Sequence, residues 1–190
     1  ASQFEPIQHA PWFVINGFPV DTAEYDLKGA ICNAILGHKP SQCQYASTLK
    51  MSVQFHYSSI DVNVHQYVTT ERFTRLPEEI FELDAIPFGT TELLPRSADG
   101  SYTLKCSNGV NECTGNLIHA CLYNVISNED VLASLFGKEM EFDGKLMYTR
   151  FLECYFNANA YPHANVLASW QCMADIFGSN LVEEVKTCAN

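Results

Sequence analysis

Eight cysteines in a chain of 190 residues constrain the fold more than any other feature of this sequence. No two of them are spaced as CxxC, and their positions are Cys32, Cys43, Cys106, Cys113, Cys121, Cys154, Cys172 and Cys188. An even, widely spaced set is typical of a disulfide framework formed in an oxidising compartment. We therefore predict structural disulfides and a secreted or extracellular protein, with a lysosomal or endosomal location as the alternative.

The composition favours one globular domain over residues 1–190. Hydrophobic residues make up 47% of the chain, which argues against disorder, and no stretch approaches the roughly 20 apolar residues of a membrane span. Eleven Lys and Arg against 22 Asp and Glu give a formal charge of -11, without a basic cluster. We expect no nucleic-acid partner and no membrane partner.

Local patterns in the first third of the chain predict a hairpin, a helix and a strand. An Asn-Gly pair within the apolar residues 12–20 is typical of a tight β-hairpin. Asp21 or Thr22 can cap a helix with helically spaced apolar residues that ends at Gly37. Apolar and polar residues alternate over 51–57, which predicts a half-buried strand.

The remainder of the chain is predicted to be mostly helical. Asp61 can cap a helix running towards Arg75, and strands are expected around 85–88 and 102–105. Asn180 has the spacing of a capping box for the last helix. The predicted helices of this part are 112–126, 128–136, 143–157, 164–176 and 180–188.

One segment resembles the signature of a known family. Residues 106–121 read CSNGVNECTGNLIHAC, which is similar to the CQHGxxECxxNxxxxC signature of the gamma-interferon-inducible lysosomal thiol reductase family and differs only at its second and third positions. Residues 86–89, IPFG, resemble that family's VPYG, and the later cysteines fall at similar places. The resemblance implies an α/β fold with a thioredoxin-like sheet and a disulfide-bonded helical insertion.

The order of the segments differs from that of the family. Residues 1–43 resemble the part that ends a family domain, whereas residues 51–188 resemble its N-terminal part and helical insertion. We expect a circularly permuted domain, which processing of a tandem-repeat precursor would explain. The alternative is a chance likeness of the first segment.

The resemblance places Asp61 and Val64 at the two positions of the family's catalytic CxxC motif. Neither residue carries sulfur, so neither can attack a disulfide or resolve a mixed disulfide. Asp61 is a favoured N-cap residue, and we interpret it as one. We therefore predict no catalytic residue and no cofactor.

A groove beside these positions is the candidate binding site. Pro11 matches the proline that thioredoxin folds hold in the cis form beside the active site, although loop geometry alone would also explain it. The floor and rim of the predicted groove are Ala10, Pro11, Trp12, Ile60, Val62 and His65.

A metal site is the weaker hypothesis for the same place. His9, Asp61 and His65 could bind zinc if all three reached within about 2.2 Å of the ion. Isolated surface histidines are far commoner, so we predict no metal. The other histidines have no motif around them: His38, His56, His119 and His163.

The disulfide pairing is partly constrained by spacing. Cys113 and Cys121 lie roughly 12 Å apart along one predicted helix, which is too far for a disulfide. Local closure can join Cys32 to Cys43 and Cys154 to Cys172. The pairing of the remaining cysteines among themselves stays open.

Three functions are compatible with these observations. The first is a non-catalytic protein that binds an unknown protein or a small apolar ligand, or serves as a carrier or structural component, as a monomer, homo-oligomer or domain-swapped dimer. The second is a thiol-disulfide oxidoreductase that uses other cysteines. The third is a ligand or pigment carrier, suggested only by the 12% aromatic residues.

Overall fold

The computed structural model describes residues 10–20, 26–35, 43, 51–71, 81–98, 100, 102–137, 143–159 and 165–189. The strands within these ranges are β1 (Trp12–Ile15), β2 (Phe18–Pro19), β3 (Met51–His56), β4 (Phe81–Ile86), β5 (Glu92–Leu93) and β6 (Leu104–Lys105). The helices are α1 (Leu27–Ala34), α2 (Val62–Glu71), α3 (Val110–Ile126), α4 (Glu129–Phe136), α5 (Gly144–Ala158), α6 (Leu167–Phe177) and α7 (Ser179–Ala189).

The larger sheet has the strand order β2-β1-β3-β4. Its hairpin turns at Asn16 and Gly17, whose φ angles of 52° and 83° are those of a tight turn between twisted strands. β1 is antiparallel to β3, with Trp12 opposite His56, and β3 is parallel to β4. The hairpin of residues 12–20 therefore lies in the same sheet as β3, although it precedes β3 in the chain.

β3 is the central strand, and its alternating residues separate the core from the surface. Met51, Val53 and Phe55 are buried, whereas Ser52 is exposed and Gln54 is half-buried. This pattern confirms the strand that the sequence predicts at this place. One of these buried side chains, Phe55, packs against Tyr67 of α2, with ring centroids 6.1 Å apart.

The residue that caps α1 is not one of the two predicted from the sequence. The carboxylate of Asp26 accepts a hydrogen bond from the Gly29 amide at 2.8 Å, so Asp26 is the N-cap. The prediction that Asp21 or Thr22 caps this helix is wrong, because a cap directly precedes the first helical residue. Asp21 and Thr22 themselves lie outside the described residues.

The strand predicted around 85–88 is also misplaced. β4 ends at Ile86, and residues 87–90 form a turn. Pro87 has no amide hydrogen to donate to a parallel ladder, which ends the strand there. The strand expected from 102 begins only at Leu104, where it pairs with β5.

Four of the five helices predicted after residue 106 differ by no more than two residues from those observed, whereas α6 begins at Leu167 rather than at 164. Asn180 lies inside α7, which begins at Ser179, so the prediction that Asn180 is its cap is wrong. A sequence pattern predicts the ends of a helix less accurately than its middle, because the amides of the first turn have no intrahelical hydrogen-bond partner.

The core joins the sheet to a helical subdomain. Phe13, Phe55 and Tyr57 are buried with successive ring centroids 5.1 Å apart. α2 packs on α5, and α5 in turn packs on α3 and α6. Tyr57 directly follows β3 and contacts His119 of α3 and Phe156 of α5, so this end of the sheet meets the helices.

Four disulfides use all eight cysteines. Cα atoms within each pair are 5.6–5.8 Å apart, which is the usual spacing. The local closures Cys32–Cys43 and Cys154–Cys172 confirm the prediction. The pairing left open by the sequence is Cys106–Cys113 and Cys121–Cys188.

The disulfide framework leads to a direct chemical prediction. Alkylation of the folded protein without reductant, followed by mass spectrometry, should find no modified cysteine, because every thiol is consumed in a bridge. Alkylation after reduction in denaturant should modify all eight and serves as the control. A cysteine that reacts in the folded, unreduced protein would contradict this framework.

Candidate functional site

Asp61 and Val64, which the family resemblance aligns with the two cysteines of the CxxC motif, lie at the beginning of α2. The Asp61 carboxylate accepts hydrogen bonds from the amides of Asn63 at 2.8 Å and Val64 at 3.2 Å, which confirms Asp61 as the N-cap. Asp61 is half-buried, whereas Val64 is completely buried. An accessible first position and a buried fourth position are an arrangement that an attacking thiol and a resolving thiol would require.

The predicted floor of the groove lies at the same end of the sheet. The Ala10–Pro11 peptide bond is cis, and the following residue, Trp12, pairs with His56 just before the connection to α2. Ala10, Pro11 and Trp12 are all buried. The register thus brings the start of β1 to the end of β3.

The predicted rim is more accessible than the floor. Ile60 is half-buried and Val62 is 39% exposed. The half-buried His65 packs edge-on against Phe156 of α5, with ring centroids 6.2 Å apart. Ligand binding between this floor and rim stays a prediction.

The metal hypothesis involves one residue whose position is not described. His9 lies outside the described residues, so the set of His9, Asp61 and His65 remains untested. Among the residues with described positions, no group of three or more His, Cys, Asp or Glu side chains could hold a metal ion. Within the same ranges, no helix has the length and apolar character of a membrane span.

Two polar residues of the signature segment hold the turn that precedes α2. Glu112 accepts hydrogen bonds from the Ser58 hydroxyl at 2.7 Å and the Asn108 amide at 2.6 Å. Asn116 accepts one from the Ser59 amide at 2.8 Å. Sequence reasoning gave these residues no role, although their fixed place in the signature was the available signal.

Two glycines allow this close packing. A Cβ at Gly89, where φ is 53°, would lie 2.9 Å from the Ser58 Cβ. A Cβ at Gly115 would lie 2.9 Å from the Ser59 Cβ and 3.1 Å from a methyl group of Val166. The turn of residues 58–60, here called the serine turn, is therefore enclosed on both sides by positions with no room for a side chain.

We expect Gly115→Ala to destabilise the protein. Because the added Cβ would overlap both Oγ and Cβ of Ser59, the overpacking should cost about 2–3 kcal/mol, in the upper part of the usual range. The better helix propensity of alanine offsets about 1 kcal/mol of it, so the free energy of unfolding should fall by about 1–2 kcal/mol. Urea denaturation measures the change. Thr114→Ala on the exposed face of α3 is the control and should change it by less than about 0.5 kcal/mol. A Gly115→Ala protein as stable as the control would contradict the close packing.

A buried polar cluster lies beside the same turn. The Tyr57 hydroxyl is 2.9 Å from Nδ1 of His119 and 2.6 Å from the Tyr148 hydroxyl. Tyr148 also donates to the His119 carbonyl at 3.2 Å, and Nε2 of His119 is 3.2 Å from the Ser169 hydroxyl. All four residues are buried.

The cluster assigns the tautomer of His119. A carbonyl oxygen only accepts, so Tyr148 donates its single hydrogen to it, and Tyr57 must then donate to Tyr148. Tyr57 consequently accepts from Nδ1–H of His119, and Nε2 accepts from Ser169. Burial lowers the pKa of His119 to about 3, and it raises the pKa of Tyr57 well above its ordinary value. With a neutral imidazole, each of the four side chains in the cluster therefore has a hydrogen-bond partner.

Comparison with known proteins identifies the family. The sequence model of the family described as gamma interferon inducible lysosomal thiol reductase (GILT) matches residues 52–176. The chain belongs to the GILT family. The matched range of this GILT chain includes β3 except Met51, all of α2 and the two signature residues that hold the serine turn, whereas β1 and β2 precede it.

Similarity to individual GILT proteins is low. GILT-like protein 1 of Drosophila melanogaster is 26% identical over 147 residues, which are 76% of this chain and 55% of that protein. The gamma-interferon-inducible lysosomal thiol reductase of Carassius auratus is 25% identical over 88 residues, which are 45% of this chain and 34% of that protein. The chain spans about half, or less, of the length of these curated relatives, and it is a divergent member of the GILT family.

Proposed function

We propose that this chain is a non-catalytic member of the GILT family that binds a partner instead of reducing it. The observation that carries the proposal is the sulfur-free beginning of α2. Asp61 caps the helix and Val64 fills the buried position, where the resemblance places the two thiols of the family. Exchange needs a thiolate to attack and a second thiol to resolve the mixed disulfide.

The disulfide-bonded state of the cysteines supports the same conclusion. All eight are joined in disulfides, so none is available as a thiol in the folded protein. The positive end of α2 is occupied by the Asp61 carboxylate, which has no sulfur chemistry. Such a framework fits a secreted or extracellular protein, with a lysosomal or endosomal location as the alternative.

The groove is the place where we propose that binding occurs. A buried floor beside an exposed Val62 can take an extended polypeptide segment or a small apolar ligand. A thioredoxin-like sheet in circularly permuted order accounts for a hairpin that precedes β3 in the chain and pairs with it in the sheet. Exchange of this hairpin between two chains would give a domain-swapped dimer.

The proposal predicts no disulfide reductase activity. The unmodified protein should stay at background in an insulin reduction assay at acidic and neutral pH, because no nucleophilic sulfur faces the groove. An active family member assayed beside it shows that the conditions support turnover. Sustained reduction of insulin by the unmodified chain would overturn the non-catalytic assignment.

One observation favours a second candidate function. Cys106 and Cys113 are half-buried, and Cys113 lies in the first turn of α3, where a helix N-terminus can stabilise a thiolate. An oxidoreductase built on this disulfide would lose all activity in the variant Cys106→Ser with Cys113→Ser. The same insulin assay therefore separates the two functions.

A further inference from the structure

We infer that Glu112 and Asn116 are positioning residues that set the place and direction of the N-terminal turn of α2. Their hydrogen bonds fix the serine turn, residues 58–60, between the end of β3 and the Asp61 cap. The inference rests on the proposed function in one respect, because it concerns the same site. It gives the two signature residues a role that requires no chemistry from them.

Glu112 holds the first residue of the serine turn. Its side chain is completely buried, and its two carboxylate oxygens accept from different segments: Ser58 before α2 and Asn108 before α3. Because burying a carboxylate costs free energy, this contact is a poor way to gain stability alone. It does fix two chain segments relative to each other.

Asn116 lies one turn further along α3 and holds Ser59, the second residue of the serine turn. Its Oδ1 accepts from the Ser59 amide at 2.8 Å, and its Nδ2 donates to the Thr91 hydroxyl at 3.2 Å. The residue is 4% exposed, so water cannot replace these contacts readily. The amide therefore joins the serine turn to the turn that follows β4.

The far side of the serine turn is fixed by the same network. Thr91 also lies 3.5 Å from the sulfur of Cys106, which is bonded to Cys113 in the first turn of α3. Gly89 packs against Ser58 without room for a side chain. The turn before α2 is thus held by α3 and its disulfide as well as by the sheet.

Positioning and simple stabilisation have different consequences. If the two residues only stabilise the fold, their loss lowers the free energy of unfolding and leaves the native beginning of α2 unchanged. If they position it, their loss also moves the helix N-terminus relative to position 61. A thiol placed at that position reports the difference, because its pKa depends on the helix N-terminus.

The experiment uses the full chain with Asp61→Cys and Val64→Cys as the reporter. Its readout is the pKa of the thiol at position 61, measured from the pH dependence of the alkylation rate. In this reporter the pKa should lie below about 7.5, as for thiols at helix N-termini. Adding Asn116→Ala should raise it by about 1, towards the ordinary value near 8.5.

The matched control removes a helix cap far from the site. Asn128 caps α4 through hydrogen bonds to the amides of Asp130 and Val131, and Asn128→Ala should cost about 1 kcal/mol of stability. In the reporter this change should leave the thiol pKa where it was. An equal rise in both proteins would mean that lost stability alone moves the pKa and would overturn the positioning role.

Glu112→Gln separates positioning from charge. Removing a negative charge near a thiolate favours the thiolate and lowers the thiol pKa. Losing an acceptor that orients the turn raises it, because glutamine retains only one oxygen for the two donors. We expect a rise; a fall would show that Glu112 acts through its charge and would overturn its part of the inference.

Hydrogen exchange tests the inference without any variant. In the unmodified protein the amides of Ser59 and Val64, held by Asn116 and Asp61, should exchange as slowly as those in the middle of α3. Exchange at the rate of a frayed helix end would contradict a fixed turn. Neither this result nor the thiol pKa depends on whether the unmodified chain reduces insulin, so the two proposals fail independently.

Discussion

Introducing Asp61→Cys together with Val64→Cys should give this chain disulfide reductase activity, which we propose that the unmodified chain does not have. The first position is half-buried at the N-cap of α2 and the second is completely buried, so the pair supplies an accessible attacking thiol and a protected resolving thiol. The free amides at the helix N-terminus then stabilise the thiolate in place of the aspartate carboxylate.

The size of the gain follows from the thiol pKa. At pH 5 a thiol with a pKa near 6.5 has about a hundredfold more thiolate than a thiol with a pKa near 8.5. Because the thiolate of lower pKa is a weaker nucleophile, this rate advantage falls by about tenfold. We therefore expect insulin reduction about tenfold faster than with an equal concentration of a simple monothiol. The assay is run at pH 5 with a reductant that recycles the pair.

The single variants are the controls for this mechanism. Asp61→Cys alone should form a mixed disulfide and stop, because no second thiol resolves it. Val64→Cys alone should not react, because that position is completely buried. A double variant that folds but does not exceed the monothiol would mean that the frame around α2 no longer supports the chemistry of the family.

Acid should destabilise this protein through His119. Burial lowers the pKa of His119 to about 3 in the folded state, whereas the unfolded chain has the ordinary value of 6.5. Between these values the unfolded state binds one more proton, so stability falls as the pH falls, by about 1.4 kcal/mol per pH unit. From pH 6.5 to pH 4 the loss amounts to about 3 kcal/mol, slightly less than the full slope would give, because the unfolded imidazole is only half protonated at pH 6.5.

The variant His119→Gln isolates this contribution. It should be less stable than the unmodified protein at pH 7.5, because it disrupts the hydrogen bonds to Tyr57 and Ser169. Since the variant has no imidazole to protonate, the difference in the free energy of unfolding should shrink by about 3 kcal/mol between pH 6.5 and pH 4. Urea denaturation at several pH values measures it. A difference that is constant with pH would show that His119 titrates normally.

The sequence predicted those features that depend on neighbouring residues or on simple periodicity. The Asn16-Gly17 turn, the alternation of β3 and the Asp61 cap are short-range patterns, and all three are present. Two of the four disulfides, Cys32–Cys43 and Cys154–Cys172, were predicted as local closures, whereas Cys106–Cys113 stayed open although its sequence separation is only 7. The family followed from the signature, because its fixed spacing is specific without any knowledge of contacts.

The tertiary structure decided which distant residues meet. Glu112 and Asn116 are separated from the serine turn by more than 50 positions, and their hydrogen bonds exist only because α3 packs beside the end of β3. His119 occupies a variable position of the signature and was given no role by the sequence, yet its neutral tautomer is fixed by Tyr57, Tyr148 and Ser169 from three other segments. The spacing of residue types along the chain predicts local conformation, whereas burial and long-range hydrogen bonds depend on how the helices and strands pack. For that reason the resemblance could assign the two thiol positions of the family to Asp61 and Val64, and only the structure showed what holds the beginning of α2 in place.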